Sequence, residues 1–165
     1  MDNQPLDDQK LFEYTLRSLG ARDQTSVEIS RKLARRGADE AQCTRIIERL
    51  TRSGIISDSD YAERFVERRG TTRGKMLLGM ELRRKGIDPT PVLAERTDDI
   101  DTDAAAHTLR RRIGSKPIPT DREERQKMSA YLARRGFNYS AIRGAWQRID
   151  TSDDLDWLET PESDE

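Results

Sequence analysis

A stretch of five residues occurs three times in this chain of 165 residues, with the pattern Leu, any residue, two basic residues and Gly. The copies cover residues 33–37, 82–86 and 132–136, so they are spaced 49 and then 50 residues apart. A fixed period near fifty residues is typical of stacked supersecondary units. The sequence therefore predicts three tandem repeats.

Each copy of this stretch combines the end of one helix with the start of another. Basic side chains in a last helical turn are favoured by the negative end of the helix dipole. Glycine just beyond that turn can adopt the left-handed conformation that ends a helix. Asp39, Asp88 and Asn138 each lie two positions after the glycine, where they can cap a new helix. Each copy is therefore predicted to form a tight corner between two helices.

The first triplet of helices is marked by caps and by apolar spacing. A first helix is predicted over residues 8–19. Thr25 and Glu28 have the spacing of a capping box at the start of the second helix. The third helix is capped by Asp39 and stops at Gly54. The residues predicted to face inward are Phe12, Leu16, Leu19, Ile29, Leu33, Cys43, Ile46, Ile47 and Leu50.

The second triplet is predicted to begin with Ser57 or Asp58 as a helix cap. Its last helix is predicted to start with Asp88 as cap and Pro89 in the first helical position, which proline tolerates. The residues predicted to face inward are Tyr61, Ala62, Phe65, Met76, Leu78, Leu82 and Val92.

The third triplet is predicted to begin near Asp101 or Thr102. Thr120 and Glu123 have capping-box spacing for its second helix, and Asn138 caps its third. The residues predicted to face inward are Ala105, Leu109, Ile113, Met128, Leu132, Ile142, Ala145, Trp146 and Ile149.

These signals predict an all-α fold of nine helices in three tandem three-helix repeats. A triplet of about 45 residues buries too little surface to be stable alone, so stacked repeats would form an elongated, curved array. The expected boundaries are a flexible N-terminus (1–8), the repeats 9–54, 55–100 and 101–150, and an acidic, disordered tail (151–165). The alternative for the tail is a short segment that folds back on the basic body.

The charges are strongly segregated along the chain, although the formal net charge is only −1. From Asp150 to the end there are eight acidic residues and no Lys or Arg, whereas residues 10–149 contain all 30 basic residues. Such a body suits a polyanion or an acidic protein surface. The alternative is that the charges only solvate an exposed face.

No enzyme site is apparent in the sequence. Cys43 is the only cysteine and occupies an apolar helix position, and His107 is the only histidine, so neither a catalytic pair nor a metal cluster is expected. Residues 70–75 resemble a phosphate-binding loop, but the glycine spacing is one residue short and Met76 stands where a hydroxyl residue is needed. Without a signal peptide or a long apolar run, the chain is predicted to be a cytoplasmic monomer without cofactors.

The basic residues that recur at matching positions are the candidate partner-binding residues, together with a cluster in the middle repeat. They could follow a phosphate backbone or a repetitive acidic protein surface, or they could be only partners of helix dipoles. The candidates are Arg35, Arg36, Arg64, Arg68, Arg69, Arg83, Arg84, Lys85, Arg134 and Arg135.

These motifs resemble the RecX family of bacterial recombinase regulators. Residues 58–66 (DSDYAERFV) resemble the central family signature, with Ser59 in place of its second acid. Residues 81–87 (ELRRKGI) and 131–137 (YLARRGF) match two further family segments closely. The likeness covers about residues 10–149.

The resemblance implies three tandem three-helix repeats and a non-enzymatic role. It implies binding to the RecA filament on single-stranded DNA, with inhibition of filament extension, strand exchange, ATP hydrolysis and the co-protease function of the SOS response. Weak direct contact with DNA is compatible with this role. The alternative is a helical nucleic-acid-binding module that competes with RecA only for DNA, although few aromatic residues remain free to stack on bases. A helix-turn-helix transcription regulator is a third reading, for which no single helix stands out as the reader.

Overall fold

The computed structural model describes residues 7–156, and these residues form nine helices and no strand. The all-α prediction is confirmed. The helices are α1 (Asp8–Ala21), α2 (Ser26–Arg35), α3 (Glu40–Arg52), α4 (Asp58–Arg69), α5 (Lys75–Arg84), α6 (Thr90–Leu93), α7 (Asp98–Ile113), α8 (Arg122–Arg134) and α9 (Tyr139–Asp156).

The described residues divide into two compact units. Unit 1 contains residues 7–65 and the segment Glu81–Pro89, and unit 2 contains Val66–Met80 and residues 90–156. Helices α4 and α5 of the middle triplet each contribute residues to both units. The predicted repeat boundaries, like the elongated and curved shape, stay predictions.

The core of unit 1 is formed by α1, α2 and α3. Most of the residues predicted to face inward from these helices are buried, which follows from their recurrence at three- and four-residue spacing. Cys43 lies in this core with 5% of its surface exposed, so it packs as a small apolar side chain. The buried cluster consists of Leu11, Phe12, Ile29, Leu33, Cys43, Ile46, Leu50 and Ile56.

The core of unit 2 is formed mainly by α7, α8 and α9. Helix α7 packs closely on α9 through three consecutive alanines, because small side chains allow the two backbones to approach. Thr102 on α7 lies against Gly144 on α9, where a Cβ atom would come within 2.7 Å of the threonine methyl group. The buried cluster consists of Ala104, Ala105, Ala106, Leu109, Ile113, Leu132, Phe137, Ala141, Ile142, Ala145, Trp146 and Ile149.

All three predicted corners are present. The glycines have positive φ angles, 90° at Gly37, 80° at Gly86 and 86° at Gly136. In each corner the N–H after the glycine donates to the leucine carbonyl five residues earlier, and the glycine N–H donates to the carbonyl three residues earlier. These two bonds define a Schellman motif, which satisfies carbonyls at the helix end.

The same contact between a corner and a helix N-terminus occurs in both units. In unit 1 the corner at Gly86 lies against Val27 of α2, and the Thr25 hydroxyl donates to the Lys85 carbonyl at 2.8 Å. In unit 2 the corner at Gly136 lies against Leu77 of α5, and the Gly74 N–H donates to the Arg135 carbonyl at 2.9 Å. The repeated sequence therefore produces a repeated packing contact.

The predicted caps are confirmed at four helices. Thr25 and Glu28 form the capping box of α2, and Asp39 caps α3. The Ser57 hydroxyl accepts from the Asp60 N–H at 3.1 Å at the start of α4. The Asn138 side chain accepts from the Ala141 N–H at 2.7 Å at the start of α9.

One predicted helix start and one predicted cap in the third triplet are wrong. Helix α7 begins at Asp98, three residues before the predicted start near Asp101, and its cap is Thr97. Its first turn contains Asp98, Asp99 and Asp101, which the helix dipole favours there. Helix α8 is capped by Asp121, one residue after Thr120, because aspartate caps at least as well as threonine.

The last helix of the middle triplet begins later than predicted, and Asp88 and Pro89 lie before it. Helix α6 has four residues and begins at Thr90, one residue after the Pro89 position expected to open it. Val92 is partly exposed there, whereas its neighbour Leu93 is buried with 5% of its surface exposed.

Two residues predicted to face inward are exposed. Leu16 is 38% exposed, because the buried face of α1 is centred on Leu11, Phe12 and Thr15. Met76 is 68% exposed. It lies two residues before the buried Leu78, which places it on the opposite side of a helix with 3.6 residues per turn.

Helix α9 extends to Asp156 and thus includes residues 151–156, the first part of the predicted acidic tail. Residues 1–6 and 157–165 lie outside the described residues, and with them most of the predicted flexible N-terminus and the rest of the predicted disordered tail.

Candidate partner-binding surface

The first basic residue of each corner is exposed in all three repeats. Arg35, Arg84 and Arg134 occupy the same position, two residues after the buried leucine. The Arg35 side chain bonds only to the Arg31 carbonyl of its own helix, at 3.2 Å. Within the described residues the guanidinium groups of Arg84 and Arg134 have no side-chain partner. These three arginines are therefore available to an acidic partner.

The second basic residue of each corner lies over a tyrosine ring of its own unit. The Arg36 guanidinium lies 3.6 Å from the ring centre of Tyr14, and the Arg135 guanidinium lies 4.8 Å from that of Tyr131. The Lys85 ammonium lies 5.3 Å from the ring centre of Tyr61. Such cation–π contacts stabilise a corner by about 0.5–1 kcal/mol at exposed sites. These three cations thus have a structural role within the corner.

Lys85 is the most strongly engaged of these cations. Its ammonium donates to Glu28 at 2.9 Å, and both side chains are about three-quarters buried. Burial alone would lower the pKa of Lys85, but hydrogen bonding with Tyr61 and Glu28 outweighs it and raises this pKa. Burial likewise acts to raise the pKa of Glu28, but the bonds from Lys85 and from the Thr25 N–H lower it overall. Both groups are therefore held in their charged forms.

Arg36 also affects the pKa of Tyr14 beside it. A hydrogen bond from Arg36 lowers the pKa of the Tyr14 hydroxyl, against a smaller opposing effect of burial.

The remaining candidates lie on α4 and α5. Arg83 is exposed beside Arg84 and, within the described residues, has no side-chain partner. Arg64 forms an exposed ion pair with Asp23 at 3.3 Å in unit 1. Arg68 and Arg69 are exposed in the last turn of α4, and both make contacts within the protein.

A buried arginine that the sequence analysis did not single out organises unit 2. Arg96, with 8% of its side chain exposed, donates to Asp101 at 2.6 Å. It also donates to the carbonyls of Gly70 at 2.7 Å and Arg73 at 3.1 Å. The second carboxylate oxygen of Asp101 accepts from the Lys75 N–H at 2.9 Å. The Arg96 guanidinium thus holds the loop before α5, and the Asp101 carboxylate caps the first N–H of α5.

This network explains the glycine-rich stretch that resembles a phosphate-binding loop. At Gly74 an added Cβ atom would collide with the Gly136 carbonyl, and at Gly70 it would come within 2.7 Å of the Arg96 guanidinium. The loop carbonyls point to Arg96, so both glycines are required by close packing within unit 2.

Tyr139 is an exposed aromatic residue that is not among the candidates predicted from the sequence. It is 80% exposed at the first position of α9. Together with Arg143 it borders a groove of about 680 Å³ between α8 and α9. Its place two residues after Phe137, a core residue, is the signal that could have found it.

The described residues contain no group of three or more His, Cys, Asp or Glu side chains arranged to hold a metal ion. Among the same residues no helix is both long and apolar enough to span a membrane.

The fold and its surface define a helical protein built from three-helix domains with exposed arginines at their corners. Family models for the first, second and third three-helix domains of RecX match residues 12–50, 57–91 and 99–146 respectively. The chain therefore belongs to the RecX family of regulatory proteins.

Individual relatives agree with this assignment. The chain is 36% identical to the regulatory protein RecX of Mycobacterium sp. (strain JLS), over 84% of this chain and 81% of the relative. It is 38% identical to that of Chlorobium phaeobacteroides (strain BS1), over 87% and 95%. The crystal structure of RecX from Lactobacillus salivarius superposes with a TM-score of 0.72 at 25% identity, covering 87% of this chain and 97% of that one. RecX is a family of non-enzymatic regulators, so the prediction that the chain is not an enzyme is confirmed.

Proposed function

We propose that this protein binds the RecA filament on single-stranded DNA and limits its extension. Strand exchange, ATP hydrolysis and the co-protease function would be restrained as a consequence. The observation that carries the proposal, beside membership of the family, is the exposed arginine that recurs at all three corners. A filament presents the same surface at regular intervals, so weak contacts from several domains would add through effective concentration.

The direct test is the DNA-dependent ATP hydrolysis of RecA on single-stranded DNA, with this protein titrated from well below stoichiometric amounts. We expect progressive inhibition at low ratios while free DNA is still in excess. Inhibition only when the protein saturates the DNA would instead support competition for DNA, the alternative function. Unchanged hydrolysis at every ratio would exclude both.

The contact residues are tested by charge reversal at Arg83 and Arg84. The double variant Arg83→Glu, Arg84→Glu is expected to weaken inhibition at least about tenfold, because two exposed cations become anions at the same site. Lys85 is left unchanged, because its bond to Glu28 is structural. Helical circular dichroism should match that of the unaltered protein.

The matched control reverses two exposed basic residues of unit 1 that lie outside the repeated stretch, Arg17 and Arg52. It changes the net charge by the same amount. Equal loss of inhibition in both double variants would mean that net charge, and not the corner, governs binding.

A further inference from the structure

We propose that the N-terminal end of α9 is a contact site for single-stranded nucleic acid, on which one unpaired base stacks against Tyr139. The proposal deepens the proposed function, because it assigns the third three-helix domain a direct contact with the DNA strand of the filament.

The first observation is the exposure of Tyr139. Tyr139 is 80% exposed at the first position of a helix of 18 residues. No ring stacking, cation–π contact or hydrogen bond of its side chain occurs within the described residues. A tyrosine ring left in water at a helix start contributes nothing to the core, whereas an unpaired base offers an apolar face of matching shape.

The second observation is the charge around this ring. Arg143 lies one helical turn after Tyr139, so both side chains project from the same face of α9. Arg143 is exposed and has no partner among the described residues. Arg134, in the corner that leads into α9, is also exposed and has no side-chain partner among the described residues. An exposed ring with exposed guanidinium groups on the same helix face and in the preceding corner combines the stacking and the phosphate contacts that single strands require.

The third observation is the scarcity of opposing charge. The first turn of α9 contains no acidic residue, whereas α3 at the equivalent corner begins with Asp39 and Glu40. Among the described residues that border the groove beside Tyr139, Asp150 is the single carboxylate. It is held by Arg125 through two bonds of 2.6 and 3.2 Å. The corner before α9 thus carries less acidic charge than the corner before α3.

The lining of the groove offers apolar surface to a base. It includes Ala130 and Ala133 of α8 and Ile142 and Trp146 of α9. Arg143 lines the same groove and supplies a positive charge beside this surface.

The test measures binding of a fluorescein-labelled thymidine oligonucleotide of about 20 nucleotides by anisotropy, in the absence of RecA. It is repeated with an oligomer of abasic sites of the same length. Tyr139→Ala is expected to weaken binding to the thymidine oligomer about 5- to 150-fold, the range that corresponds to one stacked base. Tyr139→Phe should bind within about twofold of the unaltered protein, because it keeps the ring. On the abasic oligomer, Tyr139→Ala and the unaltered protein should bind equally.

Two further variants complete the design. Arg143→Gln should weaken binding to both oligomers and reduce the slope of log affinity against log salt by about 0.7, as expected for one lost phosphate contact on a single strand. Met76→Ala, which removes another exposed apolar side chain of unit 2, should leave binding unchanged.

The proposal is overturned if Tyr139→Ala binds the thymidine oligomer as the unaltered protein does, or if it loses affinity equally for both oligomers. It is also overturned if Tyr139→Ala weakens only the interaction with the RecA filament, because the face would then contact protein. Since binding is measured without RecA, the outcome is independent of whether the ATPase titration supports the proposed function.

Discussion

Replacement of Arg96 by alanine is expected to lower the free energy of unfolding of unit 2 by about 3–5 kcal/mol, the usual effect of breaking a buried ion pair from one side. The variant would leave the Asp101 carboxylate buried with only the Lys75 N–H as partner. It would also leave the carbonyls of Gly70 and Arg73 without the guanidinium that they share. Each of these losses carries a desolvation penalty.

The measurement is urea unfolding followed by tryptophan fluorescence in a Trp157→Phe background, so that the signal comes from Trp146 of unit 2. Arg96→Lys should lose less stability than Arg96→Ala but still lose some, because an ammonium cannot reproduce the planar fork that serves three acceptors. Arg134→Ala, which removes an exposed arginine of the same unit, should stay within about 0.5 kcal/mol. A loss below about 1 kcal/mol in Arg96→Ala would contradict the buried network.

Replacement of Gly86 by alanine is expected to destabilise unit 1 by about 2–5 kcal/mol. The left-handed conformation at φ 80° costs an L-residue about 1–2 kcal/mol. The added Cβ atom would also collide with the side chain of Val27, and overpacking adds about 1–3 kcal/mol. Gly54 separates the two effects, because it has φ 67° in the same unit with nothing within 4 Å of an added Cβ. Gly54→Ala should therefore show the backbone cost alone.

The loss of stability in unit 1 can be measured through the single cysteine of the chain. Cys43 is buried in unit 1, so the rate at which a thiol reagent labels it under native conditions reports how often this unit opens. Labelling should be faster in Gly86→Ala than in Gly54→Ala by about 5- to 150-fold, since each 1.4 kcal/mol corresponds to a factor of ten. Adding Val27→Ala should recover part of the loss at Gly86, as a favourable coupling in a double-mutant cycle. Equal labelling rates in the two single variants would show that the corner at Gly86 is not packed against α2.

The features that could be predicted from the sequence are those set by neighbouring residues. The left-handed glycines, the capping box of Thr25 and Glu28 and the caps at Asp39 and Asn138 depend on residues a few positions apart, so their patterns are readable. The wrong helix starts and caps arose where two nearby residues could each cap the same helix. Thr120 and Asp121 are adjacent candidates for the cap of α8, and both residue types cap well, so the pattern alone does not separate them; the structure uses Asp121.

The candidate surface could be predicted only in outline. The recurrence of paired basic residues identified the corners, but it could not separate the exposed Arg84 from Lys85 beside it. That difference depends on Tyr61 and Glu28, which lie 24 and 57 residues away in the chain. The interaction of Arg96 with Gly70 spans 26 residues in the same way.

The sequence by itself determined that this protein is helical, that it repeats three times and that each repeat turns at a glycine, because backbone conformation and capping are decided by local chemistry. The tertiary structure alone decided which charged side chains are engaged in contacts within the protein and which remain exposed for a partner. A guanidinium can bond to an oxygen or lie on a ring only where folding brings distant residues together. Arg36 and Arg135 are held on tyrosine rings, whereas Arg84 and Arg134 remain free in the described part of the chain.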